Sequence, residues 1–308
     1  MTNKIVAVQG NNPSKLNPVT DTSVFLAHEI QNKNYKIFYY DPKDLSIINS
    51  KVIAAGFFIE FNYKNKKFFK ILKKQKLELT KCKFILIRQD PPFNLEYISA
   101  TYILDTIKDK VKILNNPTSI RNVSEKLYSV KFQKYMPNTI FTQNIDEIKN
   151  FFKKHKKVIL KPIHSYSGND IHLLTSFNLK LIKKFIKQHD HIMCQKFIPK
   201  ISKGDKRVFL INGKVCGAIS RVPKKGSFLS NMSKGAKPIN IKLTKIENKV
   251  SKLIAKDLKK QNIFFAGIDF IDQKLNGDIN VTSPTGLKTL YDLSGINLAK
   301  TFWRELKA

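Results

Sequence analysis

The sequence has few cysteines and no hydrophobic run long enough to cross a membrane. Cys82, Cys194 and Cys216 lie far apart beside apolar segments, and no Cys-x-x-Cys pair occurs. This spacing argues against zinc or disulfide frameworks and predicts buried thiols in a reducing compartment. No stretch approaches the roughly 18 consecutive apolar residues of a membrane helix, and a strand-like segment begins at residue 5. We therefore expect a cytoplasmic protein with no membrane partner.

Acidic residues are also scarce. The chain has 23 Asp and Glu against 56 Lys and Arg, a net charge of +33, which by itself suggests a nucleic-acid partner. The lysines are, however, spread along the whole chain instead of concentrated in one segment. The runs at residues 64–76 and 180–187 mix lysine with Phe, Ile and Leu at helical spacing, which predicts solvated helix faces. We expect no specific nucleic-acid partner, although a positive field would draw anionic substrates into a cleft.

The order of predicted elements indicates two kinds of layer. With 308 residues and 42% hydrophobic content, the chain can form two or three packed lobes. The first part predicts an open α/β layer, with strands at residues 4–9, 36–40, 84–88 and 112–114 and helices at 22–31 and 95–107. From residue 124 the pattern is α+β, with strands at 157–161, 171–174, 192–197, 207–211 and 214–222 and helices at 125–132, 179–188 and 244–260. Residues 223–238 are rich in Gly, Ser and Lys and predict a functional lid or a disordered segment.

A hairpin near the C-terminal end carries oxygen-bearing side chains. Two apolar strands, beginning at residues 266 and 278, are predicted to be joined across a turn at residues 273–277. Asp278 and Asn280 are two residues apart and share a strand face, and Asp269 could face them across the hairpin. Such ligands suit magnesium shared with nucleotide phosphates. An ordinary solvent-facing hairpin would carry the same residues, so the hairpin alone leaves both interpretations open.

Common phosphate-binding signatures are missing. The chain has neither G-x-x-x-x-G-K-[ST] nor G-x-G-x-x-G after a strand. Lys126, at the start of a predicted helix, and Lys161, at the end of an apolar strand, could instead place point charges on phosphates. A hydroxyl-rich loop at residues 164–170 follows Lys161, and its backbone amides could cradle a phosphate.

Several motifs, taken in order, resemble those of the ATP-grasp superfamily and, within it, the bacterial glutathione synthetases. They are Glu-Lys-Leu at 125–127, Ile-Leu-Lys-Pro at 159–162, Gln-Lys-Phe-Ile-Pro at 195–199, Gly-Asp-Lys-Arg-Val at 204–208 and Asp-Ile-Asn-Val-Thr-Ser-Pro-Thr at 278–285. An Arg-Gln-Asp-Pro-Pro-Phe segment at 88–93 matches a further signature of that family. The resemblance extends over essentially the whole chain.

The resemblance implies an ATP-dependent carboxylate–amine ligase built from an N-terminal pre-ATP-grasp α/β domain and an ATP-grasp fold. The implied divisions are residues 1–123 for the N-terminal substrate domain, 124–197 for a small lid subdomain and 198–308 for the subdomain with the metal site. The implied substrates are γ-glutamylcysteine, glycine and ATP, with two magnesium or manganese ions and a homo-oligomeric state.

The resemblance also implies roles for individual residues. Arg207 and Arg221 would be catalytic, and Asp269, Asp278 and Asn280 would hold the metals. The nucleotide would be bound by Lys126, Lys161, Ser167, Gly168, Gln195, Lys196, Phe197, Ile198 and Asp205. Arg88, Asp21 and Thr22 would bind the dipeptide substrate.

The chain departs from the family pattern at a few positions. Asp278 stands where Glu is usual, after one extra residue in the turn. Ser165 and Ser167 replace two glycines of the phosphate loop, and Leu229 stands where an arginine is expected. We therefore expect altered lid closure, with consequences for the rate or the accepted substrate.

Four alternatives define what must be tested. The motif at residues 88–93 favours the glutathione-forming ligase over another carboxylate–amine ligase of the same superfamily. A basic nucleic-acid-binding protein would follow from charge alone and has no motif in its support. A nucleotide-binding relative without activity is disfavoured by the retained lysines, metal-site oxygens and Arg207.

The His-Asp-His sequence at 189–191 lacks helical ligand spacing and is predicted to be a loop.

Overall fold

The computed structural model describes residues 4–166 and 168–308, in which the strands form three sheets. Ser167, predicted to contact ATP, lies outside the described residues. No helix in the described part is both long and apolar enough to span a membrane. The N-terminal sheet contains seven strands: β1 (Ile5–Gln9), β2 (Lys36–Tyr40), β3 (Leu45–Ile48), β4 (Lys51–Phe61), β5 (Phe69–Glu78), β6 (Phe84–Ile87) and β7 (Lys112–Leu114).

The N-terminal sheet has its switch point between β1 and β6. Its order is β3-β4-β2-β1-β6-β7, with β5 on the outer side of β4. The four neighbouring strands β2, β1, β6 and β7 run parallel. Strand order reverses beside β1, and ligands of open α/β sheets bind at such a point, beyond the carboxyl ends of the strands. There the amide of Arg88 donates to the carbonyl of Gln9 over 2.8 Å. The sheet topology therefore places Arg88 at the expected substrate edge.

Three helices belong to this part of the chain: α1 (Thr22–Gln31), α2 (Leu95–Asp105) and α3 (Pro117–Asn122). The side chain of Asp21 caps α1 by accepting from the amide of Val24 over 2.8 Å. Val24, Phe25 and Leu26 are buried against the sheet. The predicted α/β order is confirmed here.

The lysine-rich segment at residues 64–76 is not a helix, so that prediction is wrong. Its second half lies in β5, which pairs along almost the whole length of β4. The segment is exposed and mixes lysine with apolar residues, so neither period 2 nor period 3.6 is clear, and pairing with β4 decides the structure. Lysines on an edge strand oppose pairing with another chain. The second run, at residues 180–187, lies in a helix as predicted.

The second sheet is antiparallel and small. It comprises β8 (Thr139–Thr142), β9 (Val158–Pro162), β10 (His172–Leu174) and β11 (Ile192–Lys196), in the order β10-β9-β11-β8. Helices α4 (Ile145–His155) and α5 (Leu179–His189) bury Ile148, Ile182 and Phe185 in a core with Leu160 and Cys194. The opposite face is left to line a cleft.

The third sheet carries most of the predicted chemistry. Its strands are β12 (Asp205–Ile211), β13 (Lys214–Val222), β14 (Lys237–Asn240), β15 (Phe265–Ile271) and β16 (Lys274–Asn280), in the order β14-β13-β12-β15-β16. Three helices accompany it: α6 (Lys245–Lys260), α7 (Leu287–Ser294) and α8 (Leu298–Glu305). Trp303 of α8 donates from Nε1 to the carbonyl of Leu26 over 2.9 Å, so the C-terminal helix packs on α1 of the first domain.

Two further sequence-based predictions need correction. The helix predicted at residues 125–132 is a 3₁₀ helix, Leu127–Tyr135, which begins after Lys126. The hairpin turn is formed by Asp272 and Gln273, whose φ angles are 47° and 64°, and not by residues 273–277. Positive φ at both central positions is typical of a two-residue hairpin turn. Residues 223–238 are a connection that ends in β14 after a short 3₁₀ turn, Met232–Lys234.

Candidate active site

Four charged residues from three strands meet on one face of the third sheet. In the strand register, Asp205 of β12 lies opposite Arg221 of β13, and Arg207 of β12 lies opposite Asp269 of β15. Asp205 and Arg207 are two residues apart, so their side chains project to the same face. The register thus explains how residues separated by more than sixty positions form one cluster.

The cluster is a buried hydrogen-bonded network. Arg207 donates from Nε and Nη2 to the two oxygens of Asp269, over 2.5 and 2.8 Å. Arg221 donates from Nε and Nη2 to Asp205, over 2.8 and 2.5 Å, and from Nη2 also to Asp269, over 2.9 Å. Burial alone would raise the pKa of the Asp269 carboxyl, but the two guanidinium charges outweigh burial and hold the pKa well below its usual range. Asp269 is therefore ionised at neutral pH.

Both arginines also keep one nitrogen available to a ligand. Within residues 4–166 and 168–308, no group accepts a hydrogen bond from Nη1 of Arg207 or of Arg221, although both side chains line the cleft. Gly267 makes room for Arg207, because a Cβ at this position would lie 2.9 Å from its Cδ. Two fixed cations can thus face charge that develops in the cleft.

The neighbouring strand β16 adds a row of polar side chains. Asn276, Asp278 and Asn280 alternate with buried residues, so they share the face that borders the cleft. Sequence reasoning missed Asn276 because it placed this residue in the turn; with the turn at residues 272–273, the period-2 pattern would have included it. Oδ1 of Asn280 is buried and has no hydrogen-bond partner among the described residues.

These residues fit a site for magnesium shared with phosphate. An unpartnered buried acceptor at Asn280 lies on the same strand face as Asp278, and both line the cleft with Asp269. In the described part of the chain, no three His, Cys, Asp or Glu side chains cluster as a protein-only metal site. Magnesium commonly takes one or two carboxylates and completes its octahedron with water and phosphate oxygens. The donor set therefore suits a nucleotide-linked ion.

The two predicted lysines converge on Asp278. Nζ of Lys126 lies 3.6 Å from Oδ1 of Asp278, and Nζ of Lys161 lies 3.5 Å from Oδ2. Lys126 also donates to the carbonyl of Ser165 over 2.7 Å, and Lys161 donates to the carbonyl and Oδ1 of Asn276 over 2.9 and 3.0 Å. Burial lowers the pKa of the Lys161 ammonium, and Asp278 opposes that shift. Two desolvated cations beside one carboxylate suit an anionic ligand.

The cleft between the second and third sheets has a volume of about 950 Å³, open solvent at its mouth included, and is lined by predicted nucleotide residues from both sheets. Gln195, Lys196, Phe197 and Ile198 border it at the end of β11, with Gly168 and Asp205 elsewhere on its wall. The amides of Lys196 and Phe197 donate to the carbonyls of Asn138 and Lys157. Adenine contacts with these two residues would therefore use their carbonyl groups.

The predicted substrate residues lie where the first domain meets the segment that follows β16. Arg88 donates from Nε to Oγ of Ser23 and from Nη2 to the carbonyl of Pro284, each over 3.0 Å. The hydroxyl of Thr22 accepts from the amides of Gly286 and Leu287 at the start of α7, over 3.2 and 3.4 Å. Thr22 thus contacts the start of α7, Asp21 caps α1, and Arg88 is the cation at this edge.

Glu125 is a second site residue that sequence reasoning missed. Its carboxylate accepts from the Thr282 hydroxyl over 2.7 Å, and it lines the nucleotide cleft. Burial raises the pKa of its carboxyl, although Lys126 and Thr282 oppose that shift. The Glu-Lys-Leu motif includes Glu125 but gave it no role, because its partner Thr282 lies 157 positions away.

The remaining predicted residues lie in loops or at the end of a helix. Gly168 has φ of +71°, and a Cβ there would lie 2.4 Å from Oδ1 of Asn231, so the two loops approach closely. Leu229 lines the cleft in place of the expected arginine. His189 ends α5, and its Nε2 lies 3.7 Å from Oδ2 of Asp170, a contact without further metal-ligating groups in the described residues.

This architecture occurs in solved ligases of the ATP-grasp fold. The structure of D-alanyl-alanine synthetase A from Vibrio cholerae superposes with a TM-score of 0.65 at 14% identity, covering 100% of this chain and 98% of that one. The ATP-grasp ligase PsnB gives a TM-score of 0.65 at 12% identity, covering 99% of this chain and 100% of that one. These likenesses show the fold: the chain has the ATP-grasp fold of these ligases.

Sequence comparison narrows this class. Residues 5–121 match the model for the N-terminal domain of prokaryotic glutathione synthetase, and residues 125–295 match that for its ATP-grasp domain. The glutathione synthetase of Bradyrhizobium diazoefficiens is 32% identical over 302 residues, 97% of this chain and 96% of that protein. That of Buchnera aphidicola subsp. Baizongia pistaciae is 35% identical over 293 residues, 93% and 90% respectively. The chain belongs to the prokaryotic glutathione synthetase family, which confirms the resemblance found in the motifs.

Proposed function

We propose that this protein joins γ-glutamylcysteine to glycine at the expense of ATP, giving glutathione, ADP and phosphate. Family membership supports this reaction, and so do the relatives named glutathione synthetase. The structural observation that carries the proposal is the pair Arg207 and Arg221, which share Asp269, line the cleft and have no acceptor for Nη1 among the described residues. Such a pair suits a reaction in which phosphate-linked negative charge builds up at a fixed point.

The first step transfers a phosphoryl group. An oxygen of the cysteinyl carboxylate attacks the γ-phosphorus of ATP, the bond from that phosphorus to the bridging oxygen breaks, and ADP leaves. Two anions must approach each other, so fixed cations are needed on the phosphates. Lys126 and Lys161 are buried beside Asp278 and would hold the α- and β-phosphates. Arg207 and Arg221 would hold the transferring group through their Nη1 nitrogens.

Metal ions would complete the phosphate site. Asp269, Asp278 and Asn280 would hold two magnesium or manganese ions, as the orphan acceptor of Asn280 and the two carboxylates suggest. When bound, the ions would offset charge on the phosphate oxygens. Because Asp269 already shares its oxygens with two arginines, it would also align their guanidinium groups with the ions.

The second step forms the amide. The glycine nitrogen attacks the acyl carbon, the carbon–oxygen bond to phosphate breaks, and the nitrogen gives up a proton. Arg207 and Arg221 would stabilise the oxyanion of the tetrahedral intermediate. Arg88 would hold a carboxylate of the dipeptide, since its contacts with Ser23 and Pro284 fix it between the first domain and the segment after the metal strand. This arrangement would present the cysteinyl carboxylate to the cleft.

A second candidate is another carboxylate–amine ligase. Structural neighbours with the same fold include D-alanyl-alanine synthetase A and a D-cycloserine synthetase. We favour γ-glutamylcysteine because both domains match the glutathione synthetase models, the N-terminal one included. A cytoplasmic location, where ATP is available, and a homo-oligomeric state also belong to this proposal. Light scattering after gel filtration would give the oligomeric state.

An omission assay tests the proposed reaction. Phosphate release from ATP should require γ-glutamylcysteine, glycine and magnesium together, and glutathione should appear in equal amount. Replacing glycine by alanine or β-alanine, and the dipeptide by free cysteine, tests strictness. Unchanged turnover without glycine, or full replacement of glycine by another amine, would contradict the proposal.

A further inference from the structure

The connection between β13 and β14 reaches the buried arginine network through one side chain. This connection, residues 223–236, covers part of the nucleotide cleft with Phe228, Leu229, Ser230 and Asn231. Of these four, Ser230 is buried, and its hydroxyl donates to Oδ2 of Asp205 over 2.6 Å. The same oxygen accepts from Nη2 of Arg221. A serine of a surface connection is thus bonded to the acid that holds Arg221.

The position of Arg221 depends on this acid. Nε and Nη2 are bound to Asp205, and Nη2 is shared with Asp269, so the guanidinium is held in a plane between two carboxylates. Its orientation toward the cleft is therefore set by the orientation of the Asp205 carboxylate. Asp205 is 1% exposed, so its oxygens need protein partners when the connection covers them.

Other contacts place the connection against the phosphate loop. Nζ of Lys234 donates to Oδ1 of Asn169 over 2.9 Å, and Asn231 lies against Gly168. A nucleotide that contacts Gly168 and Asn169 would therefore also stabilise the connection in its covering position. Ser230 would then transmit this position to Asp205.

We propose that Ser230 is a positioning residue that couples closure of the connection over the nucleotide to the orientation of Arg221, through Asp205. Closure places the hydroxyl on Oδ2 of Asp205 and excludes water from this oxygen. The carboxylate is then fixed in the orientation that chelates Arg221, and Nη1 of Arg221 faces the reacting phosphoryl group. This inference rests on the proposed function for the identity of the reaction and goes beyond it in assigning a role to Ser230.

The test compares three variants. In Ser230→Ala the hydroxyl is lost, and kcat should fall about tenfold or more, because hydrogen bonds to charged groups contribute roughly 1.5–3 kcal/mol. The KM for ATP should change much less. Ser230→Thr keeps a hydroxyl and should recover most of the lost kcat. Ser227→Ala is the matched control, because among the described residues the side-chain partner of its hydroxyl is the amide of Leu229, within the same connection; its kcat should equal that of the unmodified protein.

Trypsin cleavage supplies a readout independent of turnover. Lys224 and Lys225 are exposed in the connection. A non-hydrolysable ATP analogue with magnesium should protect these sites in the unmodified protein and in Ser227→Ala, and should protect them several-fold less in Ser230→Ala. Equal kcat and equal protection in Ser230→Ala would overturn the inference, and so would a loss that Ser230→Thr does not recover. If the unmodified protein lacks the ligase activity, the proposed function is wrong, while the difference in protection still decides the role of Ser230.

Discussion

Arg207 and Asp269 face each other across adjacent antiparallel strands and form a two-point ion pair, with nitrogen–oxygen distances of 2.5 and 2.8 Å. Both are almost fully buried at the wall of the cleft. A planar guanidinium matched to a carboxylate holds its free edge in a fixed direction. Asp269 thus has two tasks in the proposed reaction: it holds metal and it orients arginine.

The pairing of Asp269 with two arginines predicts acid-sensitive stability. Its folded-state pKa lies below the ordinary value of 3.8, so the unfolded chain binds the proton more readily. The stabilisation is therefore complete above about pH 4 and is lost as the pH falls through the folded-state pKa. Urea unfolding from pH 6 to pH 3 should show a free-energy advantage of the unmodified protein over Asp269→Asn that shrinks on acidification. The control Asp272→Asn, at an exposed turn position, should show much less pH dependence; an Asp269→Asn difference independent of pH would contradict the ion-pair account.

Asp278 should be essential for turnover, and the protein should still fold without its side chain. Its side chain is 27% exposed, whereas its partners Lys126 and Lys161 are buried. Loss of a direct metal ligand should reduce kcat by at least about 100-fold, since even outer-shell partners of metals contribute 10- to 100-fold. Asp278→Ala should therefore be inactive with an unchanged circular dichroism spectrum, while Asp146→Ala, on the exposed face of α4, should retain full activity.

Substitution of Asp278 by glutamate is a second test of this position. Because Glu is usual in the family, Asp278→Glu should keep measurable activity. A shift in the magnesium concentration for half-maximal rate would report the changed reach of the side chain. If Asp278→Glu loses all activity while Asp278→Ala keeps full activity, Asp278 is not a metal ligand.

Asn276 should matter for nucleotide binding. Its Oδ1 and carbonyl hold the ammonium of Lys161, and when Asp278 turns to a metal ion these oxygens remain as neutral partners. In Asn276→Ala one of the two is lost, and the dissociation constant for ATP should rise about tenfold, the effect of one hydrogen bond to a charged group. Isothermal titration with an ATP analogue measures this change. Asn150→Ala, on the exposed face of α4, serves as the control; equal affinities in both variants would contradict a role for Asn276.

Substitution of Arg88 should weaken binding of the dipeptide and leave binding of the nucleotide unchanged. Lysine cannot reproduce the two directed contacts to Ser23 and Pro284 while also reaching a carboxylate. Arg88→Lys should raise the KM for γ-glutamylcysteine by about tenfold or more, again the scale of one charged hydrogen bond. The KM for ATP should stay within twofold. The control is Arg121→Lys, which alters the ion pair with Asp105 and should leave both KM values unchanged. If Arg88→Lys raises only the KM for ATP, Arg88 does not bind the dipeptide.

Local pattern in the sequence was enough for the elements that are apolar runs with clear boundaries. Helix α1 and strands β2 and β13 have the predicted bounds, because each is a mostly apolar run bounded by capping or turn residues such as Asp21, Pro42 and Gly213. The segment at residues 64–76 was predicted wrongly because its strand is exposed, and only pairing with β4 specifies it. The hairpin turn was displaced because Gly277 suggested a turn, whereas its positive φ of 84° lies within β16.

Only the site residues that stand in recognisable sequence patterns could be predicted. Asp269 and Asp278 were predicted from the hairpin, Lys126 and Lys161 from their positions at a helix start and a strand end, and Arg207 from a family motif. The structure brings all five to one cleft. Asn276, Glu125 and Ser230 were missed because their roles depend on partners 115, 157 and 25 positions away. Pairings of this kind arise from strand register and loop placement, which no short motif encodes.

The formation of an acyl phosphate is the central claim, and oxygen transfer tests it directly. γ-Glutamylcysteine labelled with ¹⁸O in the cysteinyl carboxylate should be ligated to glycine, and the released phosphate should carry one ¹⁸O atom per turnover, detected by mass spectrometry or by ³¹P NMR. Unlabelled phosphate together with normal glutathione formation, or label recovered in AMP, would contradict the account.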